Sequence, residues 1–67
     1  MIAVEDVKAM IRARIDEKRE QDAYEASRNP VSEADELRAL RHWSDVHLHN
    51  QVLRRLLDDI EAKEAQQ

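Results

Sequence analysis

Val4, Val7, Ile11 and Ile15 recur at spacings of three and four near the start of the chain, with Met10 alongside. That period puts them on one face of an α-helix. The stripe fades through Lys18 to Asp22 and returns weakly as Ala23, Tyr24 and Ala26. Beyond Pro30 a stronger apolar pattern begins with Leu37 and Leu40 and continues through Val46, Val52, Leu53, Leu56, Leu57 and Ile60. There is no glycine, and Pro30 is the only proline. The pattern therefore predicts one domain of two long helices, over about 3–28 and 33–64, joined by a turn over about 29–32. Proline pushes the residue before it out of the helical region, and Asn29 tolerates a left-handed cap. Ser32 can cap the second helix, with Glu33, Asp35 and Glu36 in its first turn favouring the positive end of the helix dipole. Asn29 as the cap, with Pro30 at the first helical position, is the alternative start.

A short connection makes two long helices antiparallel neighbours, so the predicted fold is an all-α antiparallel helical hairpin. Its ends match: Val4, Val7, Ile11 and Ile15 face Leu53, Leu56, Leu57 and Ile60, and Tyr24 faces Leu37, Leu40 and Trp43. Its middle does not, since Lys18 to Asp22 fall opposite Val46, His47 and Leu48. The second helix is also apolar over an arc of roughly 140°, against the ~100° that one neighbour covers. Either its face drifts, or the helix breaks near residues 44–50 to give a third helix.

Composition sharpens this picture. A chain of 67 residues builds a core worth roughly 3–5 kcal/mol, and with no cysteine it has no disulfide to add. The thin core and the surplus apolar arc together predict self-association, a dimer completing a four-helix bundle, or docking on another protein. The expected interface is Leu37, Leu40, Trp43, Val46, Leu48, Val52, Leu53, Leu56, Leu57 and Ile60. Charges among the first twenty residues leave no signal-peptide core or membrane span, so the expected location is the cytoplasm and no membrane partner is expected. Eleven Lys and Arg stand against fifteen Asp and Glu, a net charge of −4 that disfavours nucleic acid as a partner.

Candidate chemistry is sparse. His42, Asp45 and His49 fall on one helical face at a spacing that could hold a divalent metal, but Asp45 with His49 is also an ordinary pair one turn apart. Histidines at a helix crossing are the expectation, with no metal and no cofactor. Without Cys or Gly, neither a Cys-His pair nor a glycine-rich phosphate loop can be assembled, and no enzyme activity is expected. Trp43 and Tyr24, the only aromatics, read as core or interface anchors. Arg54 with Asp58 and Arg55 with Asp59 form two pairs four residues apart that flank Leu56 and Leu57 and set register between helices. The tail from Glu61 to Gln67 is expected to fray.

Two resemblances add context. The run Ser32-Glu33-Ala34-Asp35-Glu36-Leu37 resembles the acidic helix of the all-alpha nucleoside triphosphate pyrophosphohydrolases, which hold magnesium with Glu-x-x-Glu followed by Glu-x-x-Asp. The second half of that pattern is missing, because Arg55 stands three residues before Asp58. The segments Ile11 to Glu17, Val52 to Arg55 and Ile60 to Lys63 resemble parts of small uncharacterised proteins of actinobacteria and their phages. The likeness spans about a third of the chain, and the His-Asp-Pro element of those proteins is not matched by His49-Asn50-Gln51. It implies no activity, only an accessory role. The leading expectation is a non-enzymatic protein–protein interaction module that binds a host or phage protein. The alternatives are an acidic regulator, such as an antitoxin or nucleic-acid mimic, and a metal-binding or pyrophosphohydrolase-like helical protein.

Overall fold

The computed structural model describes residues 3–66 and is all-α, with no strand among them. Helix α1 runs Val4–Arg14, α2 runs Glu17–Arg28 and α3 runs Glu33–Ala65. The break falls in the first half of the chain, where a continuous helix over 3–28 was expected. The second half, where a break near residues 44–50 was the alternative, is one helix of 33 residues.

The break needs neither proline nor glycine. Ile15 and Asp16 leave the helical region at φ −79°, ψ 115° and φ −108°, ψ 86°. Asp16 then caps α2 by accepting a hydrogen bond from the Arg19 N–H at 2.9 Å, satisfying one of the free donors of a helix start. Arg12 and Arg14 close α1 at its negative end. At the other end of α2, Asn29 has φ −127°, so the expected left-handed cap is not used; its side-chain amide instead donates to the Glu25 carbonyl at 3.1 Å. Ser32 caps α3 by accepting from the Asp35 N–H, and the Asp35 carboxylate accepts in return from the Val31 N–H, both at 3.1 Å. This reciprocal pair fixes the start of α3 at Glu33, and the alternative cap at Asn29 is not adopted.

Both α1 and α2 lie along α3, and their contacts pair low residue numbers with high ones, converging on the Pro30 turn. Lys8 meets Glu64 at 2.7 Å, Arg12 meets Glu61 at 3.1 Å, Asp16 meets Asn50, and the Tyr24 and Trp43 rings lie 5.8 Å apart. The first two pairings hold the C-terminal turns of α3, so the segment expected to fray is helical through Ala65; Gln67 lies outside the described residues.

The molecule is only two helices thick, with Cα extents of 52 × 18 × 15 Å. Its radius of gyration of 15.9 Å compares with the roughly 11 Å of a compact globule of this length. Such a shape encloses little. The apolar side chains buried among the described residues are Ile11, Ala23 and Val46, while Val4 and Met10 of the expected N-terminal stripe are about half exposed.

Candidate functional site

Two surfaces of α3 carry the chemistry. The inner one centres on Asn50, which has no solvent exposure. Its Oδ1 accepts from the Asp16 N–H at 3.2 Å, and its Nδ2 donates to the Asp16 carbonyl and to Glu20 Oε1, each at 3.0 Å. The side-chain amide thus supplies the partner that the Asp16 N–H lacks at the break and adds a second donor to the Asp16 carbonyl, which already accepts from the Glu20 N–H at 3.1 Å. Glu20 also takes Arg54 Nη1 at 3.1 Å and lies 3.7 Å from His47 Nδ1. Burial pushes the Glu20 carboxyl up, but hydrogen bonds from Asn50 and Arg54, with the charges of Arg54 and His47, outweigh it and hold the group below 4.5. Trp43 stacks on His47 at 4.8 Å and 11° between ring planes, and Arg28 lies over the Tyr24 ring at 5.6 Å.

This network corrects the mismatch expected between Lys18 to Asp22 and the middle of the second helix. Within the polar stretch Glu20 meets Asn50 and Arg54 beside the expected His47, whereas the expected Leu48 is 64% exposed. Arg54 is therefore an inward ligand of Glu20, with Glu17 at 4.0 Å, and does not form the expected surface pair with Asp58. Asn50 has no sequence signature of its own; the polar run that needed a partner was the available signal.

Lys8 forms a second inward contact. Its ammonium lies 2.9 Å from Glu5 and 2.7 Å from Glu64, and the side chain is largely buried. The Glu64 and Glu5 hydrogen bonds raise the Lys8 pKa above 10.5, and the same Lys8 bond and charge lower that of Glu5 below 4.5.

The ten residues of the expected interface divide between two faces. Val46 is buried, and Trp43, Leu53, Leu57 and Ile60 are half-buried on the side of α3 that carries Asn50. Leu37, Leu40, Leu48, Val52 and Leu56 are exposed, from 42% to 70%. The broad apolar arc is thus covered on one side only.

His42, Asp45 and His49 are all exposed and border one open groove with Arg14, Arg19 and Asn50. No group of three or more His, Cys, Asp or Glu positioned to hold a metal occurs among the described residues. At 100° per residue, Glu33, Asp35, Glu36 and Asp45 are spread around α3 and form no single acidic stripe. No helix among the described residues is long and apolar enough to cross a membrane. No family model, curated protein or solved structure matches the chain.

Proposed function

We propose that this chain is a non-enzymatic protein–protein interaction module, a helical hairpin whose α1 and α2 brace α3 so that the outer face of α3 can dock a partner. The observation that carries this reading is the exposure of Leu37, Leu40, Leu48, Val52 and Leu56 along one helix whose opposite face is already occupied. A row of large apolar side chains on so small a chain is unfavourable in water unless something covers it. The polar clasp at Asn50 serves this role by fixing how α1 and α2 sit on α3, and therefore which face remains free.

The test is affinity capture from a lysate of the cell of origin, comparing the immobilised chain with a Leu48→Ser, Val52→Ser double variant. Untagged copies of the chain itself are counted among the captives. Proteins held by the parent and lost with the variant support the reading. Identical profiles from both, with the variant still helical by circular dichroism, would sink it.

A further inference from the structure

The outer face of α3 carries a charge pattern that reads as its own complement. Arg41, Asp45, Leu48, Val52, Arg55 and Asp59 follow one another at alternating spacings of four and three, the seam of a two-stranded coiled coil. All six are exposed. None of the four charged members forms an ion pair among the described residues, although Lys8, Arg12 and Arg54 on the inner side all do.

We propose that the occupant of this face is a second copy of the chain, docked antiparallel along α3 with a two-fold axis at the level of Asn50. The inference rests on the reading of the outer face as an interaction surface and names its partner. With the axis there, Leu48 packs against the partner's Val52, Asp45 meets the partner's Arg55, and Arg41 meets the partner's Asp59. Symmetry makes each of these twice, so an apolar centre is flanked at both ends by opposite charges. Leu56 borders the stripe and widens that centre. A parallel in-register pairing sets Arg41 on Arg41 and Asp45 on Asp45, and is disfavoured at every charged layer. The pattern therefore selects orientation as well as partner.

The seam from Arg41 to Asp59 spans about 27 Å of helix, eighteen rises of 1.5 Å, and its apolar centre is short. An interface of that size lies at the weak end of specific association, with a dissociation constant in the micromolar range. The assembly is layered, with the two α3 helices in the middle and each α1–α2 pair outside, in contrast to a bundle around one shared core.

Analytical ultracentrifugation of the full chain across the micromolar range, at low and high salt, tests the proposal. The expected result is a reversible dimer that weakens as salt screens the charge pairs. Arg55→Asp sets two carboxylates against each other at both symmetric layers and raises the dissociation constant by about tenfold or more. Adding Asp45→Arg in the same chain restores it. Circular dichroism checks that both variants keep their helices, which neither residue supports through an ion pair. In an antiparallel seam Gln51→Cys crosslinks with itself on oxidation, because it lies beside the axis. Ser44→Cys does not, because its symmetry mate is several turns away. A chain that stays monomeric overturns the proposal, as does a dimer indifferent to Arg55→Asp or not rescued by Asp45→Arg. If a monomeric chain still captures another protein through Leu48 and Val52, the proposal alone falls. If capture is lost as well, both readings fall.

Discussion

The Asn50 side chain bonds both the N–H and the carbonyl of Asp16, at 3.2 and 3.0 Å, at the two-residue break where the first half of the chain leaves the helix. A third bond to Glu20 and the ion pair from Glu20 to Arg54 extend that contact along α2. The break between α1 and α2 and the contact of α2 with α3 thus share one amide.

Replacing Asn50 by Ala removes all three bonds and leaves the Asp16 N–H to water. The expected cost is about 2 kcal/mol, which lowers the melting temperature of a domain this small by roughly 8–16 °C. Asn50→Asp is expected to be worse at neutral pH, because a carboxylate then faces both the Asp16 carbonyl and Glu20, and to recover partly on acidification. Thermal melts of the two variants at neutral and acid pH check the order.

Much of this architecture is legible in the spacing of apolar residues: the helical class, the turn around Pro30, and which apolar groups are available to α3. The break at Asp16 is hard to read, since Ile15-Asp16-Glu17 contains no helix breaker: its local signal is only an Asp suited to an N-cap, and its tertiary partner, Asn50, lies 34 residues away. The same holds for Arg54, which sequence spacing pairs with Asp58 and which the fold turns inward to Glu20. Local pattern reports propensity, whereas a buried polar group is satisfied by whatever the tertiary contacts bring near it. The division of the apolar arc into a covered and an uncovered side also needs the helix positions, because Leu56 and Leu57 are adjacent in sequence and equally apolar.

Glu20 makes stability fall in acid. Its folded pKa lies below the ordinary value of 4.5. Its contribution is therefore complete above the unfolded pKa and is lost as pH falls through the folded one. Melting temperature is expected to drop as pH passes below 4.5. Glu20→Gln, which keeps an acceptor for Asn50 but no charge for Arg54, should be less stable at neutral pH and flatter across the acid range. A variant that retains the full acid slope would assign that slope to other carboxylates.

Lys8 has the opposite sign. Its pKa is raised above 10.5 by Glu64 and Glu5, so its contribution is complete below 10.5 and is lost as pH rises through the folded value. The contact ties α1 to the last turns of α3, and helicity is expected to decline on alkaline titration as that tie opens. Lys8→Met keeps the apolar stem against α3 but cannot titrate. It should show a smaller alkaline decline by circular dichroism, and an unchanged decline would place its cause elsewhere.

Leu56 and Leu57 give the sharpest separation of the two faces of α3, because one substitution type at neighbouring positions differs only in which way it points. Leu57 is half-buried on the inner face, whereas Leu56 is 46% exposed on the outer one. Leu57→Ala removes apolar contact from a core that has little to spare, at an expected cost of about 1–2 kcal/mol and roughly 4–16 °C in melting temperature. Leu56→Ala should stay within about 0.5 kcal/mol of the parent in dilute solution. Raising the protein concentration separates them further. Association stabilises the folded state by mass action, so a parent melting temperature that climbs with concentration, and climbs less in Leu56→Ala, places Leu56 at the contact between copies. Equal slopes in parent and variant would remove Leu56 from it, while leaving the inner role of Leu57 intact.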